Sequence, residues 1–133
     1  MDPSFKIIIL DVLRSYPEIE LAIVYGSAGS GRMSNASDVD VAVAAENPLA
    51  FERLHDLYQD LVSALSREVD LKDLHTLSGL ILKQILSGGR VIVNRRPELL
   101  ARFMLRNIYY QEDMAPNVRM IQEANAKRFA RGQ

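Results

Sequence analysis

Two aspartates stand one residue apart near position 40, directly after a segment rich in glycine and serine. In the stretch YGSAGSGRMSNASDVDVAV, Gly26 and Ser27 are followed by ten residues and then by Asp38 and Asp40. Residues i and i+2 of an extended strand point to the same face, so the two carboxylates would lie together. A hard divalent cation such as Mg²⁺ removes the repulsion between them, and it also binds the phosphates of a substrate. The pair therefore predicts a metal site.

A third aspartate and the glycine-rich segment extend this chemistry. Asp70 lies in a later alternating stretch, REVDLKDLHT, from which it could join the first two carboxylates. A glycine at the end of a strand permits close approach to an anionic ligand, and the following amides and the Ser27 hydroxyl could bind a polyphosphate. Three carboxylates around two metal ions suit in-line nucleotidyl transfer, in which one ion activates an attacking hydroxyl and the other stabilises the leaving pyrophosphate.

Two other phosphate-binding loops are excluded by residue type. Gly26 and Gly31 have the spacing of the Walker A motif, but Arg32 and Met33 occupy the positions that require Lys and then Ser or Thr. The dinucleotide-binding pattern fails because Ser34 stands where the pattern requires a third glycine or an alanine. A surface loop followed by an exposed acidic strand end remains the structural alternative.

Hydrophobic periodicity predicts a small sheet flanked by helices. Strands are expected at residues 19–26, 38–45, 67–76 and 90–94, and helices at 3–16, 47–68, 76–87 and from 97 onward, with a break near Pro116. Asn47 is expected to cap the second helix, with Pro48 at its first position. This order predicts an α/β (α+β) fold with a mixed sheet of about four strands and a helical C-terminal region.

Length and composition indicate one ordinary globular domain. The 133 residues are expected to form a single domain, with a catalytic core at 1–94 and a helical tail at 95–133. The absence of cysteine excludes thiolate metal sites and cysteine nucleophiles. No apolar run has the length of a membrane span or of a signal-peptide core, so we expect a cytoplasmic protein with no membrane partner.

Charge is distributed unevenly along the chain. Residues 1–94 carry 8 basic and 13 acidic side chains, and residues 95–133 carry 8 basic and 4 acidic ones. The basic tail could dock on an acidic partner or on RNA, or it could be a solvated helix face that balances the acidic body. His55 and His75 have no second histidine at ligand spacing, which predicts surface or capping roles.

With YGSAGSGRMSNASDVDVAV upstream and EVDLKDL downstream, the sequence resembles the minimal nucleotidyltransferase family of the DNA polymerase β superfamily. The resemblance implies a polymerase-β-like fold in which Asp38 and Asp40 bind two Mg²⁺ ions. It also implies that Asp70 completes the triad and acts as the base, and that Gly26 and Ser27 hold the phosphates of the nucleotide.

Two basic residues are further candidates for this site. Family members often carry basic residues soon after Gly-Ser, and Arg32 is the basic residue of that segment here. Lys72 is expected on the same strand face as Asp70, where it could neutralise the carboxylates. Surface ion pairs are the alternative interpretation for both residues.

The small size of the chain suggests that its acceptor belongs to a partner. Family members of this size are antitoxins that pair with a HEPN-type ribonuclease toxin and adenylylate a tyrosine near its active site. The resemblance therefore implies a Mg²⁺-dependent protein adenylyltransferase that uses ATP, with a HEPN-type toxin as partner and no direct nucleic-acid partner. Two alternatives remain open: a small-molecule nucleotidyltransferase, for instance acting on an aminoglycoside, and a non-catalytic module that masks the toxin.

Overall fold

The computed structural model describes residues 3–26 and 38–108, which form a four-stranded mixed sheet with helices on both faces. The helices are α1 (Pro3–Leu13), α2 (Phe51–Leu65), α3 (Gly79–Gly88) and α4, which is helical over residues 97–108; the strands are β1 (Leu21–Tyr25), β2 (Val39–Ala44), β3 (Val69–Asp73) and β4 (Arg90–Asn94). The predicted fold class is confirmed. The expected break near Pro116 lies outside the described residues.

The strands lie in the order β3-β2-β1-β4. β1 pairs antiparallel with both β2 and β4, whereas β2 and β3 are parallel. A parallel pair requires a long crossover connection, and α2 supplies it between β2 and β3. The register places Tyr25 opposite Asp40 and Asp40 opposite Asp70.

Alternation along the strands divides the apolar side chains between two cores. On one face, Ala22, Val24 and the three valines of β2 pack against α1 and α2. On the other face, Leu21, Ile23, Ala42 and Ala44 pack with residues of α3 and α4. Asp40 has the parity of Ala42 and so lies on the face opposite the valines, as the alternating pattern predicted. This is the face that α3 and α4 cover.

The predicted start of the second helix is wrong. Asn47 does not cap it and Pro48 is not its first residue; α2 begins at Phe51, and Ala50 occupies the cap position with extended backbone and no side-chain hydrogen bond. The physical reason is a long-range contact, since the Leu49 amide donates to the Asp73 carboxylate at 2.8 Å. This contact connects the segment before α2 to the end of β3.

Two further element ends are set by local geometry. α2 stops at Ser66, whose left-handed backbone (φ 56°) places its amide 2.8 Å from the Val62 carbonyl. α3 ends at the predicted glycine pair, where the Gly89 amide donates to the Ile85 carbonyl at 2.9 Å. A side chain at Gly89 would overlap Ile23 of β1, so this glycine lets α3 pack closely on the sheet.

Asp73 fixes the end of β3. It is 3% exposed, and its carboxylate accepts from the Leu49 amide and from the His75 amide at 2.9 Å. The second bond turns the chain into a short 3-10 helix, Leu74–Thr76, where the sequence predicted that the strand continued to residue 76. Asp73 is therefore engaged by the backbone and has a structural role.

We predict that Asp73→Ala lowers the free energy of unfolding by about 2 kcal/mol, because the partly buried amides of Leu49 and His75 lose their acceptor. Urea denaturation measures the change. Asp56→Ala, at an exposed position of α2, is the matched control and should change stability by less than about 0.5 kcal/mol. Equal effects of the two substitutions would contradict this role of Asp73.

Candidate active site

Tyr25, Asp40 and Asp70 form a row across three adjacent strands. Tyr25 is the register partner of Asp40 on β1, and Asp70 is its register partner on β3. Neighbouring strands lie about 4.8 Å apart, so the row places the two carboxylates beside each other on one face of the sheet. The sequence predicted the face of each aspartate; the order of the strands brings Asp40 and Asp70 together.

Asp40 lies in an environment that opposes its negative charge. Burial is the main cause of its raised pKa, and the neighbouring charges of Asp70 and, less strongly, Asp38 raise it further. The ammonium group of Lys72 acts in the opposite direction. Asp38 itself is exposed and directly precedes β2. The carboxylates therefore concentrate negative charge that Lys72 only partly offsets.

Lys72 lies on the same face as Asp70, as predicted. Its Nζ donates to Asp70 Oδ2 at 2.7 Å, and the two side chains are 28% and 47% exposed. Tyr25, which sequence reasoning did not select, contributes a hydroxyl oxygen that is buried and has no hydrogen bond within residues 3–26 and 38–108. Burial raises the pKa of Tyr25, and the nearby Lys72 opposes that rise. In the sequence, the one feature that indicated a place near the site was the position of Tyr25 directly before Gly26.

Gly26 lies at the end of β1 with a left-handed backbone, φ 68°. A Cβ atom at this position would overlap the Asp40 carboxylate. Glycine therefore meets two requirements here, the positive φ and the close approach to Asp40. Ser27 and Arg32, the other predicted loop residues, lie outside the described residues.

The oxygen atoms of the candidate site are of the type that a hard divalent cation prefers as ligands. Asp38, Asp40 and Asp70 offer carboxylate oxygens whose negative charges repel one another. Bound Mg²⁺ would neutralise those charges. In the part of the chain that the structure describes, no three His, Cys, Asp or Glu side chains converge on a preformed metal site. Mg²⁺ commonly takes one or two carboxylates and completes its shell with water and substrate phosphates, so the residues fit a site that the substrate helps to form.

Both histidines pack against aromatic rings. His55 is exposed, as predicted, and stacks between two aromatic rings of α2. His75 is only partly exposed: its Nε2 lies 2.8 Å from the Ala45 carbonyl oxygen, and its ring meets Phe103 edge-on at 5.1 Å. His75 thus joins the end of β3 to α4.

Basic residues at the start of the predicted tail contact the acidic body. Arg96 pairs with Glu20 at 2.8 Å and also with Glu46, and Arg102 lies 3.6 Å from Glu46. In this part of the tail, the basic side chains therefore neutralise acidic side chains of the same protein. A cavity of about 480 Å³ lies along α4, but its lining residues do not include the row of Tyr25, Asp40 and Asp70.

No helix within residues 3–26 and 38–108 has the length and apolar character needed to cross a lipid bilayer.

We predict that Gly26→Ala destabilises the protein by about 2 kcal/mol, because the methyl group adds left-handed strain and displaces the Asp40 carboxylate. Gly88→Ala is the matched control, since a Cβ at Gly88 meets no atom within 4 Å. Thermal unfolding of both variants measures the difference. Similar melting temperatures for the two would show that Gly26 is not constrained.

We predict that Asp40→Asn raises the melting temperature in EDTA at neutral pH. The substitution removes a charge that burial and Asp70 disfavour, with a gain of roughly 0.5 kcal/mol. The folded-state pKa is raised, so the destabilisation by wild-type Asp40 is complete above that pKa and disappears as the pH falls through the acidic range. The gain should therefore vanish in acid, and unfolding scans from pH 3 to 8 would reveal a pH-independent difference if this explanation is wrong.

Comparisons with known proteins identify relatives of this chain. The family model described as polymerase beta, nucleotidyltransferase matches residues 8–98. A curated relative, protein adenylyltransferase MntA of Shewanella oneidensis, is 35% identical over 83 residues, which are 62% of this chain and 60% of the relative. The match thus spans less than two thirds of the length of that relative.

Two solved structures share this fold over most of the chain. A toxin-antitoxin crystal structure with AMP-PNP has a TM-score of 0.74 at 29% identity and covers 91% of this chain and 98% of the matched chain. A complex of the tri-AMPylated Shewanella oneidensis HEPN toxin with its MNT antitoxin has a TM-score of 0.71 at 27% identity and covers 95% and 100%. Because the family model matches more than half of its residues, the chain belongs to the polymerase beta nucleotidyltransferase family.

Proposed function

We propose that the protein is a Mg²⁺-dependent adenylyltransferase that transfers AMP from ATP to a tyrosine hydroxyl of a HEPN-type toxin, and that it thereby acts as an antitoxin in the cytoplasm. The observation that carries the proposal is the register that places Asp40 beside Asp70, with Gly26 against the Asp40 carboxylate. Support for the substrates comes from the relatives, which include a protein named as an adenylyltransferase and complexes with AMP-PNP and with an AMPylated toxin.

The reaction requires activation of a poor nucleophile. An unperturbed tyrosine hydroxyl has a pKa of about 10 and is mostly protonated at neutral pH. In the proposed step the tyrosine oxygen forms a bond to the α-phosphorus of ATP while the bond from that phosphorus to the bridging oxygen breaks. Pyrophosphate leaves, and Asp70 accepts the hydroxyl proton.

Each residue of the site has a proposed role. Asp38 and Asp40 would supply oxygen ligands for two Mg²⁺ ions, with Asp70 as the third carboxylate. When bound, the ions lower the pKa of the attacking hydroxyl and neutralise the departing pyrophosphate. Gly26 lets the nucleotide approach the carboxylates, and Ser27 holds a phosphate oxygen. The conformation of Gly26 and its contact with Asp40 support this arrangement.

The test is the intact mass of a co-expressed HEPN-type toxin after incubation with this protein, ATP and Mg²⁺. We expect a gain of one or more AMP groups, about 329 Da each. Asp38→Asn combined with Asp40→Asn should reduce the rate to below about 1% of wild type, because the ligands of the ions are lost. EDTA should abolish the gain with the wild-type protein.

A matched control distinguishes the loss of metal ligands from a general loss of negative charge. Asp11→Asn combined with Asp56→Asn removes the same number of carboxylates from exposed positions of α1 and α2 and should leave the transfer rate unchanged. If the toxin gains no mass while the two proteins still bind tightly, the catalytic proposal fails and masking of the toxin explains its neutralisation.

A further inference from the structure

Lys72 brings a positive charge to the carboxylate that the proposed function assigns to the base. The side chain is 28% exposed and its Nζ donates to Asp70 Oδ2 at 2.7 Å. Lys72 and Asp70 are two residues apart on β3, so both project from the face that also carries Asp40. An ammonium group at this distance occupies an oxygen that a divalent cation would need, and it repels that cation.

A second acceptor lies next to the same ammonium group. The Tyr25 hydroxyl oxygen is buried and accepts no hydrogen bond from any residue in the ranges 3–26 and 38–108. The Lys72 ammonium approaches this hydroxyl without regular hydrogen-bond geometry, and both its charge and this polar contact lower the pKa of Tyr25. A buried hydroxyl without a partner is unfavourable, and a lysine ammonium has three donors. Tyr25 therefore offers Lys72 a neutral acceptor whenever Asp70 is engaged elsewhere.

We propose that Lys72 is a positioning residue that acts as a built-in countercation: it holds Asp70 in the metal-free protein and moves its hydrogen bond to the Tyr25 hydroxyl when a divalent cation binds Asp70. This inference rests on the proposed role of Asp70 in metal binding. Its consequence is weak loading of the site by the cation alone, because the cation must first displace Lys72. ATP, which brings further oxygen ligands, then favours the loaded state.

The first experiment measures binding of Mn²⁺ alone, without nucleotide, by electron paramagnetic resonance. Lys72→Met should bind Mn²⁺ about fivefold more tightly than wild type, because the competing charge is gone. Lys72→Arg should retain weak binding. The matched control is Lys6→Met, which removes one exposed positive charge from α1 on the opposite face of the sheet and should leave the affinity unchanged.

The second experiment tests the part assigned to Tyr25. Tyr25→Phe removes the alternative acceptor and keeps the ring, so it should weaken Mn²⁺ binding about threefold when Lys72 is present. The same substitution combined with Lys72→Met should have no effect of its own, because no ammonium remains to be accepted. An equal effect of Tyr25→Phe in both backgrounds would overturn the proposed movement of Lys72.

The outcomes separate this inference from the proposed function. If wild type binds Mn²⁺ and Lys72→Met binds it no more tightly, the countercation role is overturned while AMP transfer still stands. If wild type binds no Mn²⁺ even with ATP, both the metal site and the role of Lys72 fail. Unfolding scans in EDTA verify that each variant is folded, and Lys72→Gln replaces Lys72→Met if the latter is insoluble.

Discussion

Repulsion between Asp40 and Asp70 is the constraint around which the described part of the site is arranged. Register pairing brings the carboxylates together, and burial of Asp40 makes the charge still less favourable. Such a pair opposes folding unless a cation compensates it. In the metal-free protein Lys72 provides part of that compensation, whereas the proposed Mg²⁺ ions would complete it. The protein thus keeps a locally unfavourable arrangement that Lys72 relieves in part and that its proposed ligands would relieve further.

The rest of the fold maintains this arrangement at some distance from the charges. The core against α1 and α2 buries the valines of β2, and the core against α3 and α4 covers the other face beside the row of Tyr25, Asp40 and Asp70. Asp73 fixes the end of β3 through two backbone amides. The two aspartates of β3 therefore have different tasks, since Asp73 is committed to the backbone and Asp70 faces the site.

Much of this site could be predicted from the sequence because strand alternation is a local property. The faces of Asp40, Asp70 and Lys72 follow from a period of two and need no knowledge of neighbours. The start of α2 could not be predicted correctly, because the contact of Leu49 with Asp73 joins residues that are distant in sequence. Tyr25 was missed for a similar reason: an unsatisfied buried hydroxyl becomes visible only after the strands are paired.

The identity of the partner was a different kind of inference. Carboxylate spacing indicates nucleotidyl transfer, but no residue pattern in this chain specifies whose hydroxyl is modified. That expectation came from resemblance to a family, and the similar toxin-antitoxin complexes support it. The pattern of the site and the choice of acceptor are thus separate properties, and a shared catalytic fold constrains the first more than the second.

The turn at Ser66 gives the site an unusual dependence on chain length. Its left-handed residue ends α2 and, three residues before Val69, sets the phase in which β3 enters the sheet. One inserted or deleted residue here would exchange the two faces of β3, turning Leu71 toward the site and Asp70 toward the apolar core. Substitutions between α2 and β3 can therefore leave the site intact, whereas a change in the number of residues there would disrupt it.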